Sequence, residues 1–355
     1  MPDDTSNPPS PTKTDVPRTR RDMIREIEQL RGSSVICYLT SLRDNVPGVI
    51  AHEHVRVFFD HLRLLPKRPV DKLDIFLVSN GGDSVVPWRL VSLFREFTNS
   101  FNVLIPFRAY SAASLIALGA DEIVMHPFGE IGPIDPTVTN AFNPKENGRP
   151  IGISVEDLKA YIHFVKNTVG ITHEDELVKT IEILANQVHP LALGNVERFV
   201  SQSRITATKI LKTHMKDADH VVKETVEMMG SKLYFHGHPI NRKEAKEDVG
   251  LKVAQNVKPE LEDLLWDLYL DFEKEFENRE PFFPAGALSA MAIPTGNPPP
   301  PRKMEFTLLH GIIESATLSS KNKSKRRYSL IQTQPGQRML DEEILSLEWN
   351  HSRAN

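Results

Sequence analysis

The fold is decided by residues 73–83, LDIFLVSNGGD. A short, almost entirely apolar run that ends in paired glycines predicts a buried strand followed by a tight turn, and apolar positions at helical spacing follow over 85–97. Glycines at such a turn let the backbone approach a ligand closely, and free N–H groups at a helix start suit an anion or an oxyanion. A plain strand-to-helix turn is the alternative. The Walker lysine and the spaced glycines of a dinucleotide loop are both missing, which argues against a phosphate loop.

The same alternation of strand and helix patterns extends to both sides of this stretch. Strands are predicted over 34–39, 102–107 and 122–125, and helices over 51–64 and 112–119. Apolar strands that alternate with helices favour a mainly parallel sheet covered on both faces, an α/β fold. A helical extension is predicted over 154–230, and a last amphipathic helix over 259–276.

Prolines mark the boundaries of the chain's segments. The sequence predicts a disordered tail over 1–20, a compact domain over 21–280, a proline-rich linker over 281–303 and a C-terminal hairpin segment over 304–355. In the last segment, strands are predicted over 304–313 and 328–332, around a basic loop at 321–327. Without base-stacking aromatic residues, that loop is typical of a solvated hairpin rather than of a nucleic-acid site.

Composition excludes several classes of protein. A net charge of −4 gives no general attraction to nucleic acid or anionic lipid. The single cysteine, Cys37, excludes an internal disulfide framework and a cysteine-rich zinc site, and it favours a cytoplasmic location. No run of about eighteen apolar residues predicts a membrane span. His52 and His54 stand two positions apart on a predicted helix and cannot bind one metal ion together, so we predict no metal and no cofactor.

A second motif, AYSAASLIAL at residues 109–118, follows the strand over 102–107 and begins an apolar helix. A serine at the start of such a helix lies where the helix dipole and an unpaired N–H stabilise a developing negative charge. In the alternative interpretation, Ser111 is only a helix cap and Ser114 a small packing residue.

Taken together, the motifs resemble those of the Clp peptidase/crotonase superfamily. The glycine turn and the serine motif are followed by ADEIVM at 120–125, GPIDP at 132–136, HPLALG at 189–194 and FHGHPI at 235–240. Within the superfamily, the chain is most similar to the SDH (serine dehydrogenase proteinase) family of Clp-fold serine proteinases, and more distantly to signal peptide peptidase A. The resemblance covers about 22–253 and implies a ClpP/crotonase-like fold.

The resemblance also implies a set of site residues. A serine hydroxyl needs an adjacent base, and an imidazole held by a carboxylate supplies one. The implied catalytic residues are Ser114, Asp135 and His236, and the implied oxyanion-hole N–H groups are those of Gly82, Leu115 and Gly81.

Other residues compete for the role of base. His189 is the second candidate and keeps the Ser–Asp–His order along the chain, and His238 is the third. Signal peptide peptidases instead pair their serine with a lysine, and Lys159 lies in the corresponding window. A charged helix surface is the more plausible place for Lys159, because a lysine base must be desolvated.

The resemblance implies a serine endopeptidase that acts on peptides or unfolded proteins without a cofactor. Relatives assemble into rings or stacks, so a homo-oligomer is expected. The chain has no ATPase motif, and ATP-driven unfolding would need a separate ATPase or adaptor partner. Two alternatives remain: a catalytically silent scaffold, and a crotonase-like enzyme that binds acyl-CoA thioesters in the same oxyanion hole.

Overall fold

The computed structural model describes residues 18–134, 137–138, 141–146, 149–232, 238–292, 296, 300–334 and 337–353. Its α-helices are α1 (Arg20–Arg31), α2 (His54–Leu62), α3 (Val86–Phe97), α4 (Ala112–Ala117), α5 (Val155–His163), α6 (Glu174–Gln187), α7 (Pro190–Leu211), α8 (Asp219–Glu227), α9 (Arg242–Glu247), α10 (Pro259–Phe276) and α11 (Pro284–Ala290). Its strands are β1 (Ser34–Thr40), β2 (Val70–Val78), β3 (Thr98–Ile105), β4 (Arg108–Ala109), β5 (Glu122–Met125), β6 (Glu130–Ile131), β7 (Thr137–Val138), β8 (Lys145–Glu146), β9 (Arg149–Pro150), β10 (Ile153–Ser154), β11 (Ile240–Asn241), β12 (Arg302–Ser315), β13 (Leu318–Gln334) and β14 (Gln337–Arg353). Short π-helical turns over Phe164–Thr168 and Met228–Lys232 follow α5 and α8.

A central sheet of seven strands organises the chain, in the order β14-β13-β12-β1-β2-β3-β5. The strands β1, β2, β3 and β5 are mutually parallel, and β12, β13 and β14 extend the sheet antiparallel from β1. The predicted α/β fold with parallel strands joined by helices is confirmed. The stretch that decides the fold is β2, which lies in the interior of the parallel half.

Two apolar layers cover the parallel strands because successive side chains of a strand point to opposite faces. Ile75 and Leu77 pack with α2, α3 and α4 on one face. On the other face, Phe76 and Val78 pack with α1 and α10. A fully buried side chain of this size contributes about 1.5–3 kcal/mol, which explains why the strands are apolar on both sides.

The C-terminal segment differs from the prediction. The basic stretch 321–327 is the middle of β13 and not a loop. Its side chains form cross-strand ion pairs with β12 and β14: Arg326 pairs with Glu342, and Arg327 Nη1 lies 2.9 Å from Glu343 Oε2. Opposite charges on neighbouring strands stabilise strand pairing, so a basic stretch can lie within a strand.

The predicted linker 281–303 is partly ordered. Pro284 occupies the first turn of α11, where a proline is tolerated, and Leu288 of this helix is fully buried. Residues 293–295 and 297–299 lie outside the described residues, as do residues 1–17 of the predicted tail.

Candidate active site

A second, three-stranded sheet in the order β11-β6-β4 brings three parts of the chain together. Ala109 pairs with Ile131 in a parallel arrangement, and Ile240 pairs with Ile131 in an antiparallel one. The residues that follow Ala109, those that follow Ile131 and those that precede Ile240 therefore leave the same edge of this sheet. The serine motif and the described parts of the GPIDP and FHGHPI motifs, residues 132–134 and 238–240, converge at this edge.

The glycine turn after β2 lies against the serine motif. Gly81 and Gly82 have φ values of +105° and +154°, and a Cβ on Gly81 would lie 2.7 Å from Ser111 Cβ. A Cβ on Gly82 would lie 2.3 Å from the backbone oxygen of Ile50. The close approach seen at these glycines is made to the chain itself, and the predicted approach to a ligand stays a prediction.

Ser111 has the unusual backbone of the site. It lies between β4 and α4 at φ 53° and ψ −113°, which a residue with a Cβ rarely adopts. Its side chain is partly exposed and makes no helix-capping hydrogen bond. A strained serine on a sharp strand-to-helix turn resembles a nucleophile elbow, and we use this name for residues 109–112.

Ser114 has a different environment. It is fully buried, and its Oγ lies 2.8 Å from the Ala109 carbonyl oxygen and 2.7 Å from that of Gly132. In this conformation the Ser114 hydroxyl is engaged with these two carbonyl groups, whereas the Ser111 side chain is partly exposed. The Ser114 hydroxyl thus joins β4, α4 and the segment after β6. The role of nucleophile assigned to Ser114 stays a prediction.

The backbone N–H groups also differ from the expected set. The Leu115 N–H donates to the Ser111 carbonyl within the first turn of α4, at 3.1 Å, and the Gly81 N–H donates to Ser79 Oγ at 3.0 Å. Two of the three predicted donors, Leu115 and Gly81, are thus occupied. Among the hydrogen bonds of the described residues, the N–H groups of Gly82 and Ala112 have no acceptor. Ala112 directly follows Ser111, as the second donor of a nucleophile elbow does.

Asp135 and His236 lie outside the described residues. Ile134, directly before Asp135, is held from two sides: its N–H donates to the Met229 carbonyl at 3.0 Å, and its carbonyl accepts from Ser203 Oγ at 2.7 Å. His238 is described, and its Nε2 lies 2.7 Å from Glu244 Oε1. His238, the third candidate for the base, thus has a carboxylate partner of its own.

The other predicted bases are engaged elsewhere or lie on another helix. His189 is exposed at the N-cap of α7, where its Nδ1 accepts from the Leu191 N–H at 3.1 Å, and its ring stacks on Phe142. Lys159 lies in α5, a helix that packs through Leu158 against α7. Within the described ranges, no group of three or more His, Cys, Asp or Glu residues is placed to hold a metal ion.

A polar cluster lies next to the nucleophile elbow. Glu130 Oε1 accepts from both Arg108 Nε and the Tyr110 hydroxyl, each at 2.9 Å. Burial, together with this hydrogen bond, raises the pKa of Tyr110 to about 12, so the phenol beside Ser111 is neutral at physiological pH and cannot act as a base. The Tyr110 ring lies so close to Gly132 that a Cβ there would approach it to 2.7 Å.

Residues 8–145 match the family model of the ClpP-like SDH-type serine proteinases. The resemblance to the SDH proteinases is confirmed. The match spans less than half of the 355 residues, and it includes the glycine turn, Ser111 and Ser114.

Two uncharacterised proteins of Methanocaldococcus jannaschii are similar over more of the chain. One is 28% identical over 252 residues, which are 69% of this chain and 75% of that protein. The other is 25% identical over 254 residues, which are 70% of this chain and 78% of that protein.

Solved structures give more distant similarities. A mutant of a membrane-bound stomatin-specific protease is 14% identical, with a TM-score of 0.32 over 64% of this chain and 83% of that one. The ClpP protease catalytic domain of Plasmodium falciparum is 12% identical, with a TM-score of 0.34 over 70% of this chain and 98% of that one. Neither similarity bears on function at these scores. In the part of the present chain that the structure describes, no helix is both long and apolar enough to cross a bilayer.

Proposed function

We propose that this chain is a serine endopeptidase that cleaves peptides or unfolded proteins, with Ser111 as its nucleophile. The backbone of Ser111 is the observation that carries the proposal. The conformation costs of order 1–3 kcal/mol, and no capping hydrogen bond of the Ser111 side chain compensates for it. A catalytic role would explain the strain, because the serine lies at the start of a helix beside the N–H groups of Gly82 and Ala112.

In the proposed reaction, Ser111 Oγ attacks the carbonyl carbon of the scissile bond while its proton passes to an imidazole. The oxyanion accepts hydrogen bonds from the N–H groups of Gly82 and Ala112, and the imidazolium then protonates the leaving amine. Water hydrolyses the acyl-enzyme by the same steps. His236 remains our proposed base and Asp135 the carboxylate that orients it, because their described neighbours leave the same sheet edge as Ser111.

Ser114 is, in this proposal, a positioning residue. Its hydroxyl joins the first turn of α4 to the carbonyl groups of Ala109 and Gly132, on either side of the turn that holds Ser111. Removing that hydroxyl loosens the elbow but leaves the Ser111 hydroxyl in place.

Assembly into a homo-oligomer remains part of the proposal. The side chains of Val178, Ile181 and Ile183 on α6 are about half exposed, at 56%, 47% and 62%. Apolar side chains concentrated on one exposed helix are typical of a surface that is covered in an assembly. A separate ATPase or adaptor partner and a cytoplasmic location are further predictions from the sequence.

The test is covalent labelling with a fluorophosphonate probe, followed by intact mass and peptide mapping. We expect one adduct on Ser111 in the unmodified chain and in Ser114→Ala, and none in Ser111→Ala. Near-ultraviolet circular dichroism on each variant controls for folding. An adduct on Ser114 would restore the first assignment from the sequence.

A chain that folds and assembles but takes no adduct on any serine would contradict the proposal. It would favour the catalytically silent scaffold. Binding of acyl-CoA by the same unlabelled protein would instead favour the thioester enzyme.

A further inference from the structure

A partly enclosed cavity of about 210 Å³ lies at the opposite end of α4 from Ser111. Leu118 at the end of α4, Leu211 and Met215 at the end of α7, and Leu251 provide much of its apolar lining. Leu118, Leu211 and Leu251 are themselves buried, so this wall is fixed by the core rather than by mobile surface side chains.

The polar side of the cavity is formed by Asp121, His214 and Lys252. The His214 Nδ1 atom is buried and has no hydrogen-bond partner, which is costly unless a ligand or a water satisfies it. Burial and the nearby charge of Arg95 lower the pKa of His214 to about 4. The imidazole is therefore neutral at physiological pH, and its Nδ1 can carry a proton to donate.

The charged side chains around the cavity carry a net positive charge. Asp121 is neutralised by Arg95, whose Nη1 and Nη2 lie 2.6 Å and 3.0 Å from the two carboxylate oxygens. Within the described chain, the Lys252 ammonium makes no ion pair. Its backbone is nevertheless fixed, because the Lys252 carbonyl accepts from the Ile123 N–H at 2.9 Å.

We propose that this cavity binds a small aliphatic monocarboxylate, with the carboxylate at His214 and Lys252 and the alkyl chain against Leu118 and Met215. An unpaired cation and an unpartnered imidazole nitrogen suit a carboxylate, which accepts several hydrogen bonds. The apolar wall suits an alkyl chain. The cavity is smaller than the pockets of drug-sized ligands, which start at about 300 Å³, so the acid is short. The site lies outside the proposed active site and does not depend on it.

The experiment is isothermal titration of the full-length chain at pH 7 with acetate, butyrate, pentanoate and hexanoate. We expect saturable binding that tightens about fourfold with each added methylene until the cavity is full. Pentanamide and pentylamine, which have nearly the same size but lack the negative charge, are expected to bind more weakly than pentanoate.

Three variants test the placement of the carboxylate. Lys252→Met is expected to weaken pentanoate binding about fivefold, as for an exposed ion pair, and His214→Leu about tenfold. His214→Asn keeps a donor near the position of Nδ1 and is expected to retain more affinity than His214→Leu. Lys246→Met, which changes an exposed lysine on α9, is the matched control and is expected to leave binding unchanged.

Several outcomes would overturn the proposal. One is that pentanoate does not bind at millimolar concentration, and another is that pentylamine binds as tightly as pentanoate. A third is that Lys252→Met, which changes an exposed side chain, leaves the affinity for pentanoate unchanged. Binding of N-acetyl-leucine in preference to every free acid would assign the site to a peptide C-terminus instead. Melting curves without ligand show whether each variant is folded.

Discussion

The strained backbone of Ser111 leads to a prediction about stability that is separate from activity. Replacing Ser111 with glycine removes the Cβ that makes φ 53° and ψ −113° costly, whereas replacing it with alanine keeps the Cβ. Both variants lose the hydroxyl, so both are expected to lose fluorophosphonate labelling. They are expected to differ in stability, with the glycine variant the more stable of the two.

The magnitude follows from two opposing contributions. Relief of the strained conformation is worth about 1–3 kcal/mol. The greater freedom of glycine in the unfolded chain costs about 0.5–1 kcal/mol. With the middle of each range, the net difference between Ser111→Gly and Ser111→Ala is about 1 kcal/mol in favour of glycine. For a chain of this length, an unfolding entropy of about 2 cal/mol/K per residue converts this into roughly 1–2 °C in melting temperature.

The assay is urea unfolding followed by circular dichroism, with the melting temperature as a second readout. Ser201, exposed in the interior of α7, provides the matched control. There the backbone is helical, so Ser201→Gly is expected to be less stable than Ser201→Ala by about 1 kcal/mol. The same pair of substitutions should thus give opposite signs at the two positions.

A Ser111→Gly variant that is less stable than Ser111→Ala would refute the reasoning. It would mean that the backbone at this position is relaxed and that Ser111 caps the helix as an ordinary residue. A glycine variant that still takes the fluorophosphonate adduct would contradict the assignment of the nucleophile but not the strain.

Three other outcomes are expected. Ser114→Ala should lower the free energy of unfolding by about 1–3 kcal/mol in urea titrations, because a buried hydrogen bond is lost, while retaining a labelled Ser111. Asp74→Asn should cost about 1–3 kcal/mol in the same titrations, since the Arg31 guanidinium, 2.8 Å from Asp74, loses its buried carboxylate and keeps only Glu122, 3.0 Å away. Burial lowers the pKa values of His54 and His61 from 6.5 to about 4 in the folded chain, so the unfolded chain binds more protons below pH 6.5. The free energy of unfolding should therefore fall by about 2 kcal/mol per histidine between pH 6.5 and pH 5. Because His214 has the same lowered pKa, His61→Gln should remove about a third of the combined pH dependence of these three histidines, and an unchanged slope would contradict the assignment.

Much of the fold could be predicted because it depends on local patterns. The predicted strand over 122–125 and the predicted helix over 259–276 have the bounds of β5 and α10. In both cases the apolar period is regular, and it is flanked by turn residues or by a proline in the first turn of the helix. The basic stretch 321–327 was misjudged because the charges that neutralise it lie on other strands, far away in sequence.

The candidate site, too, could be predicted from the sequence only in part. The α/β class, the glycine turn, the serine motif and the resemblance to the SDH proteinases could be read from the sequence, because these depend on residue types and their spacing. The tertiary structure alone gives Ser111 and Ser114, three residues apart in one motif, different surroundings, and on these we base the proposal of Ser111. That choice rests on a backbone angle and on which hydroxyl lies against buried carbonyl groups. The tertiary structure also shows that the Leu115 N–H donates within the helix, and that the Ala112 N–H has no acceptor among the described residues. A hydrogen-bond partner contributed by another part of the chain leaves no local signal in the sequence, and here those partners are set by the way β6 pairs with β4.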